Sequence, residues 1–111
     1  MKLNEQTVGS VTVVEAVGRL DSANAPALQE RVAALMGAGN ASLVLDLAKV
    51  EYISSAGFRS LLLLARQATQ TRCRLVLCGL TPKVRRLFDL GGFLDILPIA
   101  ATREEGIAAA Q

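Results

Sequence analysis

Two runs near the N-terminus, Lys2–Val8 and Ser10–Val17, alternate in polarity or are rich in β-branched residues, and Gly9 divides them. A period of two sends successive side chains to opposite faces of a strand, so the pattern predicts an antiparallel hairpin turning at Gly9. The period then lengthens. Leu28, Val32 and Leu35 recur at i, i+4 and i+7, one face of a helix, and Gly37 and Gly39 mark its end. Asp21, Ser22 and Asn24 compete to cap this helix, with Pro26 in a first turn that tolerates a missing N–H. Ala41–Leu47 reads as a strand buried on both faces and ending near Asp46. A second helix begins around Ser54–Gly57 and runs to about Gln70, and Cys73–Cys78 is a further buried strand. Thr81-Pro82 opens a third helix, with Val84, Leu87 and Phe88 as its buried stripe and Gly91 as terminator. Asp95–Ile99 is expected to be a short strand. Thr102-Arg-Glu-Glu105 forms a capping box ahead of an Ala-rich terminal helix.

The predicted order is ββαβαβαβα. Strands alternating with helices require right-handed crossovers, which gives an α/β fold with a mostly parallel mixed sheet. The N-terminal strand is antiparallel at one edge, and about four helices flank the sheet. In such sheets ligands gather at the carboxyl ends of strands, so three loops carry the functional interest: Arg19–Asn24, Lys49–Gly57 and Gly79–Pro82.

Composition narrows the chemistry. At 111 residues and 51% apolar, one domain spanning residues 1–111 buries a sufficient core without disulfides or metals. The chain has no histidine, which removes Ser-His and Cys-His nucleophiles, histidine bases and histidine-bearing metal sites together. A protein that is not an enzyme, with no cofactor and no metal, is the expectation. Net charge is +2 and aromatic content 4% with no Trp, against both the basic excess and the stacking platform of a nucleic-acid binder. No Gly-x-Gly-x-x-Gly or P-loop pattern is present. Cys73 and Cys78 fall on opposite faces of their strand, cannot easily bridge, and read as small buried hydrophobes in a reducing compartment. Met1–Val8 lacks the apolar core of a signal peptide, and no run approaches the length of a membrane span, so a cytoplasmic protein without membrane insertion is expected. The basic trio Lys83, Arg85 and Arg86 reads as a solvated helix face.

The segment Val50–Arg66 stands apart. A β-run ends, Ser54 and Ser55 follow, then Ala56 and Gly57, and a helix starts at once. Phe58, Leu61, Leu62 and Ala65 form its expected core stripe, while Arg59, Arg66 and Gln70 lie on the polar side. Counting back one turn aligns Ser54 with the buried stripe and Ser55 with the polar face, so Ser55 presents its hydroxyl to solvent. These serines can simply cap the helix. The same geometry also suits a phosphoryl group, which would meet free N–H groups at the positive end of the helix dipole, with Arg59 one turn on.

Gly18-Arg-Leu-Asp21, Leu45-Asp-Leu, Tyr52-Ile-Ser-Ser-Ala-Gly-Phe58 and Thr81-Pro-Lys-Val-Arg-Arg-Leu-Phe88 together resemble the STAS domain family, closest to bacterial anti-sigma factor antagonists. The resemblance covers nearly the whole chain in the right order. It implies a single STAS domain that works by partner switching. The unphosphorylated antagonist binds an anti-sigma factor that is also a serine kinase using ATP and magnesium, and phosphorylation of one serine releases it. A PP2C-type phosphatase reverses the step. Aligning Gly57 with the family's glycine puts the phosphoacceptor at Ser55, with Ser54 as the alternative. This chain departs from the family pattern in having Ser54 where Asp is frequent and Ala56 after the acceptor. Asp21 matches the aspartate of the family's Gly-x-Leu-Asp loop, beside the acceptor and in contact with the partner. Ser22 and the exposed first turn around Phe58 and Arg59 join Ser54, Ser55, Ala56 and Gly57 as the expected contact surface. The competing implication is a non-switching STAS scaffold subunit of a transporter or stress-sensing complex.

Overall fold

The computed structural model describes all residues, Met1–Gln111. Strands β1 (Lys2–Val8) and β2 (Val11–Leu20) form the antiparallel hairpin, with Val8 opposite Val11 across the two-residue turn. Gly9 sits there at φ +61°, a conformation that side chains with a Cβ disfavour. Helix α1 (Ala25–Gly37), strand β3 (Ser42–Ile53), helix α2 (Ser55–Thr71), strand β4 (Arg74–Cys78), helix α3 (Pro82–Leu90), strand β5 (Ile99–Ala100) and helix α4 (Arg103–Ala110) follow in the expected order. The sheet runs β1-β2-β3-β4-β5 and is parallel throughout except for the β1–β2 edge pair.

Helices α1, α2 and α3 cover one face, where Leu28, Leu45, Leu64, Leu77 and Phe88 are fully enclosed in a 23-residue core. α4 covers part of the other face over a cluster of six: Val11, Val13, Val44, Val76, Cys78 and Ala110. β3 is buried on both sides because it is central and sandwiched, which is why its sequence reads as a continuous apolar run. Two register shifts against β2, between Glu15 and Val17 and between Gly18 and Arg19, interrupt the ladder toward the end of β3. Both cysteines are buried and free. No helix is long and apolar enough to cross a membrane.

Two expectations need correction. Residues 93–97 form a turn in place of a strand: Ile96 N and Leu97 N both donate to Phe93 O, at 3.2 and 3.1 Å. The turn buries Leu97, and ladder pairing with β4 begins only at Pro98 O, which accepts from Leu77 N at 2.8 Å. The apolar spacing of Leu97 and Ile99 mimics a strand, whereas Phe93 is drawn back toward α2. The buried arc of α2 is also rotated. Gly57, Phe58, Ser60, Leu61, Leu64 and Ala68 are buried, while Leu62 and Ala65 are half-buried. The cause is that α2 packs against α1 as well as the sheet, with Ser60 Oγ donating to Gln29 Oε1 of α1 at 3.2 Å.

Candidate functional site

The carboxyl ends of β2 and β3 meet at one point. Ser54 N donates to Leu20 O at 2.9 Å, tying the start of α2 to the last residue of β2. Ser54 is extended (φ −83°, ψ 174°) and caps α2: its Oγ accepts from Gly57 N at 3.2 Å, and its carbonyl accepts from Phe58 N at 2.9 Å. Ser55 is the first helical residue, exposed, and its hydroxyl is engaged by no protein group. The two serines therefore divide the work that the sequence left open between them.

Gly57 is buried because the Leu20 backbone passes over it. A Cβ there would lie 2.7 Å from Leu20 O and 2.8 Å from Ile53 Cγ2. The small residue serves contact within the molecule, between strand end and helix start. Ala56 is half-buried beside it, and Arg59 is exposed one turn beyond Ser55 on the same helix.

Asp21 follows Leu20 directly and is half-buried. Its Oδ1 accepts from Ala23 N at 3.0 Å, and its backbone carbonyl accepts from Asn24 N and Ala25 N. Asn24 is the N-cap of α1, but its side chain turns back to accept from Asp21 N at 2.8 Å and to donate to Arg19 O, stiffening the loop without capping the helix. Ser22 is exposed at the loop tip. So the structure gathers the Asp21 loop and the Ser54–Arg59 turn at the same end of the sheet, as expected.

Phe58 departs from that expectation. It is only 7% exposed, with its ring stacked on Phe93 (centroids 4.5 Å apart) and edge-on to Phe88 (4.9 Å). It supports the first turn of α2 from below and presents little to solvent.

Beside Ser55 lies a feature that sequence reasoning missed, an open groove of about 520 Å³ between α2 and α3. Ser55 and Arg59 stand on one wall, with Leu62 further along α2; Leu87 and Leu90 belong to α3 across from them, and Tyr52 and Phe93 complete the lining. The signal was present in α3, where Leu87 and Leu90 are spaced i, i+3 and Leu90 lies outside the Val84–Phe88 stripe. The Arg19 guanidinium lies 4.7 Å from the centre of the Tyr52 ring, a cation–π contact that brings a second arginine to this end.

A separate polar cluster occupies the opposite face. Arg103 of α4 donates through Nε to Asp46 Oδ2 at 2.7 Å and through Nη2 to Glu15 Oε2 at 2.9 Å. The Asn4 amide, then the charges of Lys49 and Arg103, hold the Glu15 carboxyl below its ordinary value. Burial, reinforced by the Asp46 charge, pushes the Cys78 thiol up to about 12. Neither group belongs to the Ser55 end.

The family model described as STAS domain matches residues 2–106. The chain is 43% identical over 109 residues to BtrV of Bordetella bronchiseptica, which carries the name of an anti-sigma factor antagonist; the match covers 98% of this chain and 94% of BtrV. It is 32% identical over 94 residues to the anti-sigma-B factor antagonist of Bacillus subtilis, covering 85% of each. A solved anti-sigma factor antagonist from Mycobacterium paratuberculosis superposes with a TM-score of 0.88 at 25% identity, over 98% of this chain and 92% of that one.

Proposed function

The chain belongs to the STAS domain family, and from that premise we propose that it is an anti-sigma factor antagonist working by partner switching, with Ser55 as its switch. The observation that carries this reading is the division between the serines: Ser54 Oγ is engaged in the cap, while Ser55 Oγ stands free and exposed at the helix start. A kinase needs a reachable hydroxyl, and of the two serines at the start of α2 only Ser55 offers a free one. The relatives' names support the type of partner, an anti-sigma factor. We read that partner as a serine kinase met in the cytoplasm, with a PP2C-type phosphatase restoring the free hydroxyl.

The physical switch is local. Phosphorylation adds about −1.5 to −2 charges where the unmodified chain presents a neutral hydroxyl beside Ala56. The group would sit at the positive end of the α2 dipole with Arg59 one turn away, so it is well tolerated by the folded antagonist. A partner packed against Ser55, Ala56 and the Asp21–Ser22 loop loses instead, through desolvation and repulsion. Binding and folding thus respond with opposite signs to the same group.

The test is a reaction of purified protein with its cognate anti-sigma kinase and ATP. Wild type should gain one phosphate, placed on Ser55 by mass spectrometry. Ser55→Ala should gain none and stay bound, and Ser55→Asp should bind at least about tenfold more weakly. Equal phosphorylation of Ser55→Ala and wild type would refute the assignment.

A further inference from the structure

The groove between α2 and α3 has a built-in preference for one kind of occupant. Its walls are Tyr52, Phe58, Leu62, Leu87 and Phe93, and at its mouth Leu90 is 79% exposed. Apolar grooves between two helices commonly receive the apolar face of a third helix, read as anchors at i, i+4 and i+7.

Charge decides which helix. Arg59 lines the groove, Arg19 lies 4.7 Å from the centre of the Tyr52 ring that also lines it, and no carboxylate does. Neither arginine is paired: the four ion pairs of the protein join Glu5, Glu15 and Asp46 to Arg31, Lys49 and Arg103. An apolar recess with the unpaired Arg59 guanidinium in its wall, and a second arginine held on the Tyr52 ring nearby, complements acidic side chains flanking the apolar anchors and repels basic ones.

We propose that this groove docks an amphipathic helix whose apolar anchors are flanked by Asp or Glu. The helix is supplied by the anti-sigma partner, a point that rests on the partner-switching reading above. The anchors fill the space between Leu62 and Leu87 and cover Leu90, while an acidic residue pairs with Arg59. Ser55 shares a wall with Arg59, so a phosphate on Ser55 competes for that guanidinium and repels the acidic flank. Phosphorylation then empties the groove even though the phosphate never enters its apolar part.

Two labelled, stapled helical peptides test this, with identical Leu anchors at i, i+4 and i+7 but flanking Glu in one and Lys in the other. Fluorescence anisotropy should show the Glu peptide binding at least about tenfold more tightly than the Lys peptide at low salt. Leu90→Ser and Arg59→Ser should each weaken the Glu peptide about tenfold, with unchanged melting temperatures because both side chains are exposed. Backbone NMR shifts on titration should centre on Leu62, Leu87 and Leu90. Equal affinity for both peptides, no binding of either, or shifts confined to another face would overturn the proposal. The phosphorylation assay above uses no peptide, so the two readings fail separately. Ser55 labelled by the kinase with an empty groove sinks only the docking proposal, and a filled groove with unlabelled Ser55 sinks the switch and its control of the groove while the docking of an acid-flanked helix stands.

Discussion

Adjacent serines at one helix start have different physical lives. Ser54 Oγ satisfies the Gly57 N–H, one of the donors that a helix leaves without an intrahelical partner. Ser54→Ala should therefore cost about 1 kcal/mol in urea unfolding, the usual value of a lost cap. Ser55→Ala should stay within about 0.5 kcal/mol of wild type, since the hydroxyl engages nothing. If the two substitutions cost the same, the division of roles is wrong. Gly57→Ala should be worse than either, at about 1–3 kcal/mol, because the new methyl must push against a backbone carbonyl at 2.7 Å. The exposure of Ser55 was legible in the sequence, since helical phase alone sets it on the side of Arg59. The reason for Gly57 was not: the atom that forbids a side chain there is Leu20 O, brought in by the end of another strand.

Elements were legible to the extent that their signals are local. Pattern, caps and turn residues mark all nine in order, and Thr81, Ser54 and Thr102 each cap as their sequence context indicates. The failures lie where a distant partner decides. Phe93 stacks on Phe58 and leads the 93–97 segment into a turn, and the pull of α1 rotates the buried arc of α2. The anchoring of α4 was equally invisible, because Arg103 reaches Asp46 and Glu15 across the whole length of the chain. That anchor makes a prediction about one element. The side chain of Asp46 is 7% exposed and that of Arg103 is 30% exposed, so removing the arginine leaves a buried carboxylate with the Ala48 N–H, which donates to Oδ1 at 2.9 Å, and partial relief from water. Arg103→Ala should cost about 2 kcal/mol, less than the 3–5 typical of a fully buried pair. Hydrogen exchange should report the loss first in α4, whose amides should exchange faster while those of β3 follow the global change. Uniform acceleration across β3 and α4 would show that α4 is not a separately held element.

Across the whole molecule the charges are segregated. Ion pairs fasten α1 to β1 and α4 to β2 and β3, whereas Arg19 and Arg59 form no ion pair at the end that carries Ser55. Stability against pH should therefore be set by groups remote from the switch. The Arg31 contact holds the Glu5 carboxyl below its ordinary 4.5, and Glu15 is lowered by Asn4, Lys49 and Arg103. A carboxyl lowered in the folded state binds its proton more weakly there than in the unfolded chain. Its stabilisation is whole above pH 4.5 and drains away as pH falls through the lowered folded values. Cys78 works in the other direction. The folded thiol is held neutral to about 12 while the unfolded one ionises near 9, so its share of stability is complete below pH 9 and is lost as pH rises from 9 toward 12. Urea midpoints plotted against pH should show a plateau bounded by an acid decline that Glu15→Gln flattens and an alkaline decline that Cys78→Ala flattens. Ser55→Asp should displace neither limb. If that variant moved the acid limb, the switch would be coupled to the ion pairs of the opposite face. Phosphorylation would then act on the fold as well as on the partner, which the separation of the two charge clusters argues against.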